Sequence, residues 1–158
     1  MSFRPSEFYR HAAVEIVDEI ATLVHSQFPD ADVQDMGATA IPGLLTKGDV
    51  DVNVRVAHDD LQPLLDLLRQ HLRVHQSENW TDGYASFADD DGHSLPVGVQ
   101  VTVRGHADDK FLIQRDRLAG APRLIAQYNE LKRRLEGATM TEYRQAKWEF
   151  IAQHLDPG

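Results

Sequence analysis

The 158-residue chain contains no cysteine. Without thiols it can form neither a disulfide nor a thiolate zinc site, and a chain of this length can bury enough apolar surface to fold without either. It also lacks a long apolar run. No segment approaches the roughly 18 residues that a membrane-spanning helix needs, and the first residues, MSFRPSEFYRH, lack the apolar core of a signal peptide. We therefore expect one soluble, cytoplasmic domain over residues 1–158.

Basic residues are also scarce: 16 lysines and arginines stand against 25 aspartates and glutamates, a formal net charge of −9. A surface that binds duplex nucleic acid needs many lysines and arginines to neutralise phosphates. The charge therefore argues against a duplex partner. It still allows a small basic pocket that binds one nucleotide.

The pattern of apolar residues predicts an α+β fold. Residues 6–28 repeat apolar side chains at steps of three and four, as one face of a helix does. A short strand, an alternating strand, a second helix to about Arg73, a hairpin and another alternating strand at 95–105 follow. Three helices complete the chain, and Thr139 and Glu142 have the spacing of a capping box for the last one. This order predicts a mixed β-sheet flanked by helices.

The segment LLTKGDVDVNVRV, residues 44–56, places Asp49, Asp51 and Asn53 on one face of a strand and valines on the other. Like charges on one face repel, and Asp and Asn are poor strand formers, so the pattern weakens the strand. Carboxylates two residues apart, roughly 7 Å at Cα, can converge on a hard cation such as Mg²⁺ or Mn²⁺. The alternative is that this face of the sheet is simply wet and the acids are solvated.

The loop before this strand, GATAIPGLLTKG, is rich in turn formers. Gly37 stands at a strand end, where its backbone N–H can approach a phosphate closely. Thr39 and Lys47 add a hydroxyl and a cation nearby. The loop and the two aspartates together predict a phosphate and metal site.

These residues resemble a known signature. Gly37-Ala38, a spacer and Asp49-Val50-Asp51 are similar to the motif of the DNA-polymerase-beta-like nucleotidyltransferase superfamily. In more detail, MGATAIPGLLTKGDVDVNVRV resembles the GrpB family, whose usual version reads Gly-Ser-Thr-Ala-Val-Pro-Gly-Leu, then Lys-Pro and an Asp-bearing strand. FLIQRDRL, YNELKRRL and YRQAKWEFI are similar to that family's C-terminal helices.

The resemblance implies a nucleotidyltransferase-like sheet and transfer of a nucleoside monophosphate from a nucleoside triphosphate to an acceptor. By this resemblance Gly37 and the backbone of Ala38 contact the triphosphate, Lys47 neutralises phosphate charge, and Asp49 and Asp51 hold Mg²⁺ or Mn²⁺. The acceptor is open. A non-catalytic nucleotide-binding or regulatory module of the same fold is the alternative.

Two departures from the superfamily pattern bear on catalysis. Ala38 has no hydroxyl where Ser is common, although its amide is available. Active members also carry a third carboxylate on a later strand of the sheet. The corresponding strand here, VGVQVTV, has Gln100 and Thr102 on its polar face and no acid.

Further polar residues are candidates for the wall of the pocket: Asn53, Arg55, Gln100, Thr102, Arg115, Asp116, Tyr128, Lys132, Tyr143 and Lys147. The last four form two pairs spaced four residues apart, each on one helix face. The alternative is that these pairs lie on helix surfaces with their rings packed inward. We interpret Trp80 and Trp148 as packing residues.

Overall fold

The structure is a computed structural model that describes residues 2–157. Its strands are β1 (Arg4–Pro5), β2 (Asp32–Asp35), β3 (Leu45–Thr46), β4 (Val50–Val56), β5 (Arg73–Val74), β6 (Tyr84–Asp89) and β7 (Val97–Val103). Its α-helices are α1 (Ser6–His25), α2 (Leu61–Arg69), α3 (Phe111–Ala119), α4 (Pro122–Arg134) and α5 (Met140–His154). Short 3-10 turns occupy Ala38–Ala40, His58–Asp60 and Ser77–Asn79.

Five strands form a mixed sheet in the order β2-β4-β7-β6-β5. The central pair β4 and β7 is parallel, and the other pairs are antiparallel. The register places Asp51 beside Gly98. The mixed sheet with flanking helices that the sequence predicts is confirmed.

The two faces of the sheet have different partners. The valines of β4 and β7 are buried in one core with the apolar faces of α1 and α2, and each such side chain contributes roughly 1.5–3 kcal/mol. A second apolar cluster joins the 37–48 loop to the C-terminal helices through Ile41, Leu44, Leu118, Tyr128 and Phe150. The loop is therefore packed in place at the end of β2, above the polar face of the sheet.

Element boundaries differ from the prediction at several ends: α1 stops at His25 rather than at residue 28, and β7 is shorter than 95–105. Helix α2 ends at Arg69 and does not reach Arg73. Arg73 and Val74 instead form a short strand that pairs with Ala88 and Phe87 of β6. The predicted hairpin is shorter than expected, because its first strand ends at Val74 and the chain then passes through the 3-10 turn Ser77–Asn79. The capping box of Thr139 and Glu142 at the start of α5 is confirmed.

No helix within residues 2–157 combines the length and the apolar character needed to cross a membrane.

Candidate functional site

A cavity of about 280 Å³ lies between the polar face of the sheet, the 37–48 loop and helices α3–α5. This volume is near the lower end of small-molecule sites, which run from roughly 300 to 1,000 Å³. The lining combines charged, amide and aromatic side chains: Asp49, Asp51, Gln76, Tyr84, Gln100, Phe111, Gln114, Arg115, Tyr128, Lys132, Tyr143, Lys147 and Trp148. The cavity therefore gathers residues from distant parts of the chain around the two aspartates.

The two aspartates are in different states. The Oδ2 atom of Asp49 accepts a hydrogen bond from Lys47 Nζ at 2.9 Å. The backbone carbonyl of Asp51 accepts from Met36 N at 2.8 Å, but within residues 2–157 no group donates a hydrogen bond to its carboxylate or forms an ion pair with it. Asp51 thus presents its carboxylate to the cavity without a direct protein partner.

Two glycines make room for the Asp51 side chain. A β-carbon on Gly98 would lie 2.8 Å from Asp51 Oδ1, and one on Gly37 would lie 3.1 Å from Asp51 Cβ. Both approaches are tighter than ordinary van der Waals contact. Gly37 and Gly98 therefore flank the carboxylate, and a larger residue at either position would displace it.

We expect Gly98→Ala to leave the fold intact while shifting the Asp51 carboxylate. The β-carbon would overlap Asp51 Oδ1, and that end of the side chain can rotate away at a modest cost in stability. The expected result is a small fall in melting temperature and a loss of divalent-metal affinity of about tenfold or more. Calorimetric titration with Mn²⁺ checks this. Ala119→Gly on α3 is the control, because residue 119 does not line the cavity. An unchanged Mn²⁺ affinity in Gly98→Ala would contradict the expectation.

The electrostatics separate the aspartates further. Burial raises the pKa of Asp51 to about 6; attraction to Lys147 opposes the rise, and repulsion by Asp49 adds to it. Burial also raises the pKa of Asp49, but the ion pair with Lys47 outweighs it and holds that pKa below its ordinary value. Asp51 is therefore an incompletely compensated charge, and a bound cation would favour its ionised form.

Two lysines face these acids from the C-terminal helices. Burial lowers the pKa of Lys132 to about 7, and repulsion by Lys147 adds to the effect. For Lys147, attraction to Asp51, Tyr143 and Asp49 outweighs burial and raises its pKa. Lys147 is therefore held charged close to the aspartates.

The lysine–tyrosine pairs do not lie on helix surfaces. Lys132 is only 2% exposed; its ammonium donates to the carbonyl of Leu45 and lies 4.2 Å from the centroid of the Tyr128 ring. Burial raises the pKa of both Tyr128 and Tyr143. The alternative interpretation of surface pairs is wrong, because α4 and α5 turn both lysines and both tyrosines toward the cavity.

The predicted phosphate donors of the loop already have a partner. Gly37 N donates to Asp35 Oδ1 at 3.0 Å, and Thr39 Oγ1 donates to Asp35 Oδ2 at 2.6 Å. Phosphate contact through these two groups would therefore require an exchange of partner. The amide of Ala38 donates to no group within the described residues. Asp35 was not identified from the sequence, although an acid two residues before a glycine is a common Asx-turn signal.

Three predicted pocket residues on the sheet lie outside the cavity lining, as do Thr39 and Lys47 of the loop. Arg55 forms ion pairs with Asp109 and Asp32, Thr102 donates to Asp109, and Asn53 Nδ2 donates to Thr102 Oγ1. These residues share the polar face of the sheet but lie further along the strands, at roughly 3.3 Å per residue. Their placement on the pocket wall is corrected: they form a network beside the cavity that fixes the sheet to the segment before α3.

Of the two predicted pocket residues on α3, one lines the cavity and the other does not. Arg115 lines the cavity, and its guanidinium donates to Gln34 Oε1 at 2.8 Å and to the carbonyl of Asp35 at 3.1 Å. Asp116 accepts from Arg115 Nε at 2.9 Å, and its side chain is 68% exposed. The expectation that Asp116 lines the pocket is corrected, since its side chain faces solvent outside the cavity lining.

Other residues on the cavity were not identified from the sequence. Trp148 is 65% exposed and lines the cavity, so its interpretation as a packing residue is wrong. Gln76, Tyr84, Phe111 and Gln114 also line it. No local signal marks these positions, because separate turns and helices bring them together.

Two buried amide oxygens have no donor within the described residues, one on the cavity floor and one beside the cavity. Gln100 Oε1 and Asn53 Oδ1 are buried, and neither has a hydrogen-bond partner within residues 2–157. Buried acceptors of this kind normally have a partner. Gln100 lines the cavity two residues beyond Gly98, so its oxygen is placed to accept from a ligand or a bound water.

The donor set fits a hard divalent cation. Within the described part of the chain, no group of three or more His, Asp or Glu side chains could hold a metal by itself. Asp49 and Asp51 supply two carboxylates on the same cavity. Mg²⁺ commonly binds through one or two carboxylates and completes its shell with phosphate oxygens and water. This site therefore suits a cation that arrives with a nucleotide.

Comparisons with solved structures define the class of the fold. Cid1 poly(U) polymerase with MgGTP bound superposes with a TM-score of 0.56 at 12% identity, covering 79% of this chain and 40% of that chain. A cytoplasmic RNA terminal U-transferase gives a TM-score of 0.52 at 15% identity, covering 75% of this chain and 36% of that chain. The protein has a nucleotidyltransferase-like fold and corresponds to less than half of these transferase chains.

The chain belongs to the GrpB family, whose sequence profile matches residues 5–156. The structure of the conserved protein GrpB from Enterococcus faecalis gives a TM-score of 0.69 at 17% identity, covering 96% of this chain and 98% of that chain. A UPF0157 protein of Vibrio cholerae serotype O1 is 28% identical over 156 residues, 98% of this chain and 82% of that protein. The resemblance seen in the sequence is confirmed.

Proposed function

We propose that the protein binds a nucleoside triphosphate with Mg²⁺ or Mn²⁺ and transfers the nucleoside monophosphate to an acceptor. The observation that carries this proposal is the state of Asp51. Its carboxylate is half-buried beside Asp49, has a raised pKa, and has no direct partner in the described protein. A buried charge is costly unless it is paired or coordinates a metal.

Asp49 and Asp51 would hold the cation in this proposal. When bound, the cation neutralises charge on the phosphate oxygens. Lys47, which now pairs with Asp49, can turn to the phosphates once the cation compensates that acid. The fold relatives support the proposal, because one of them, Cid1 poly(U) polymerase, is described with MgGTP bound.

The remaining contacts to the triphosphate come from the protein chain. Lys147 carries a positive charge into the cavity, and the amide of Ala38 can donate to a phosphate oxygen. Tyr143 donates a hydrogen bond to Tyr128, so the hydroxyl of Tyr128 is the one that can donate to a phosphate as well. These groups orient the nucleotide and exclude water from one side of the phosphate chain.

A second candidate function rests on Gln100. An amide there cannot accept the proton of an attacking hydroxyl, so the same site would serve a non-catalytic nucleotide-binding or regulatory module. Both candidates require nucleotide binding, and only the first requires turnover.

Calorimetric titration with ATP, GTP, CTP and UTP, with and without Mg²⁺, tests the shared requirement. We expect saturable binding of at least one nucleotide that depends on the cation and is lost in Asp51→Asn. Asp116→Asn, an exposed acid outside the cavity, is the matched control. Equal binding by wild type and Asp51→Asn would contradict the metal site.

Lys147→Met is expected to weaken nucleotide affinity about tenfold or more, because a charge-assisted contact to phosphate contributes roughly 1.5–3 kcal/mol. The methionine keeps most of the side-chain volume. Lys110→Met removes a lysine that pairs with Asp156 outside the cavity and serves as the control. The same titration measures both variants. Equal losses in the two would show that overall charge, and not the position of Lys147, sets the affinity.

A further inference from the structure

We propose that the acceptor is a small molecule that presents a hydroxyl or amine group to the cavity and carries no negative charge there, rather than a polynucleotide end. This inference rests on the proposed function, because it names the second substrate of the same site. It follows from the uneven distribution of charge and amide groups around the cavity.

Lys132 and Lys147 line one half of the cavity, and Lys47 lies beside that half, paired with Asp49. Lys47, Lys132 and Lys147 all act electrostatically on Asp49 or Asp51, so they surround the proposed metal and phosphates. We call the remaining wall the acceptor half, defined by the other polar and aromatic lining residues from β6, β7, α3 and the turn before β6: Gln76, Tyr84, Gln100, Phe111, Gln114 and Arg115. Three glutamines and two aromatic rings dominate it.

The one charged side chain of the acceptor half is already engaged. Arg115 donates to Gln34, to the backbone of Asp35 and to Asp116. Proteins that bind single-stranded nucleic acid combine stacking side chains with a positive groove along the backbone. The exposed Trp148 could stack on a base, but within residues 2–157 the acceptor half has no lysine or unpaired arginine to hold phosphodiesters. The net charge of −9 adds repulsion.

The same wall suits a neutral polar molecule. Glutamine amides both donate and accept, which matches hydroxyl and amine groups. The rings of Tyr84 and Phe111, with centroids 5.9 Å apart, offer apolar faces to a sugar or another ring. Gln100 Oε1 is buried and has no hydrogen-bond donor in the described part of the chain, so it can accept a hydrogen bond from an O–H or N–H of the ligand. A carboxylate or phosphate at this point would instead meet the amide oxygen and the nearby Asp51.

The proposed step balances without a further reactant. The acceptor oxygen or nitrogen forms a bond to the α-phosphorus, and the bond from that phosphorus to the bridging oxygen of the β-phosphate breaks. Pyrophosphate leaves with the bond electrons. The acceptor's proton passes to water, since the Gln100 amide can position the group but cannot take the proton.

The test measures transfer of ³²P from α-labelled nucleoside triphosphates to an acceptor, with Mn²⁺ present, in three separate reaction arms. One arm contains oligo(A) and oligo(U) RNA of about 15 nucleotides, enough to fill an ordinary single-strand site. The second contains glucose, glucosamine, inositol and spermidine. The third contains the low-molecular-mass filtrate of a bacterial extract, passed over an anion exchanger to remove anionic compounds. Nucleotide binding is measured on the same samples by melting temperature.

We expect a labelled small molecule in the second or third arm, no lengthened RNA, and a loss of at least tenfold in Gln100→Leu through a higher KM for the acceptor. A product with the hydroxyl compounds alone, or with the amines alone, distinguishes the two donor groups. Extension of RNA would overturn the inference. So would nucleotide binding with no label in either small-molecule arm. If no nucleotide raises the melting temperature, the proposed function itself fails.

Discussion

Asp51→Asn is expected to stabilise the metal-free protein near neutral pH while removing its metal and nucleotide affinity. Burial and the charge of Asp49 raise the pKa of Asp51 to about 6, above the 3.8 of an unperturbed carboxyl. The folded state therefore binds this proton more tightly than the unfolded state. The ionised carboxylate reduces stability fully above the folded pKa, and the penalty disappears as pH falls below the unfolded value.

The expected gain is on the order of 2 kcal/mol at about pH 7, from a pKa shift of about two units, or roughly 4–8 °C in melting temperature for a chain of this size. At about pH 3 the gain should nearly vanish, because the wild-type carboxyl is then protonated in both the folded and the unfolded states. Thermal unfolding in EDTA at both pH values measures it. Asp49→Asn is the matched contrast and should destabilise near neutral pH, because the pKa of Asp49 is lowered by Lys47.

A gain in melting temperature that is equal at the two pH values, or a loss near neutral pH, would contradict this prediction. It would show that the Asp51 carboxylate is compensated in the metal-free protein. The pairing of a stability gain with a loss of ligand affinity is what a functional buried charge should give.

Gln100→Glu is expected to produce the second large effect. It places a third carboxylate on the cavity, beside the two aspartates and two residues beyond Gly98. The affinity for Mn²⁺ should rise by about tenfold or more, since three hard anionic ligands then surround the cation. If transfer is limited by deprotonation of the acceptor, its rate should rise by about 100-fold, the lower range for an added general base.

The same substitution should destabilise the metal-free protein, because a third buried negative charge repels Asp51. Mn²⁺ titration and melting temperature therefore report on the variant even without a known acceptor. Gln114→Glu, on α3 rather than on the sheet floor, is the control. An Mn²⁺ affinity that is the same in wild type and Gln100→Glu would place residue 100 outside the metal shell.

The fold could be predicted well from local patterns. Period-two alternation located β4 and β7, and the capping box located the start of α5. Period two also showed which side chains share a face. It could not show how far along the strand the cavity extends, so Arg55 and Thr102 were assigned to a pocket that ends short of them.

The candidate site could be predicted only where chemistry and sequence spacing coincide. Asp49, Asp51 and the loop glycine are close together in the chain. The spacing of Tyr128 and Lys132 predicts that they share one face of a helix. It does not predict which part of the protein that face contacts, because this depends on how α4 packs against the loop. The position of Trp148 at the cavity and the role of Asp35 behind the loop are tertiary features with no periodic signal.

The central claim is that Asp49 and Asp51 hold a cation that also contacts the phosphates of a nucleotide. Electron paramagnetic resonance of Mn²⁺ with a non-hydrolysable nucleoside triphosphate analogue tests it most directly. We predict that the wild type immobilises Mn²⁺ with resolved ³¹P couplings, and that Asp49→Asn and Asp51→Asn both lose this protein-bound signal. Equal Mn²⁺ and nucleotide binding by all three proteins would contradict the claim.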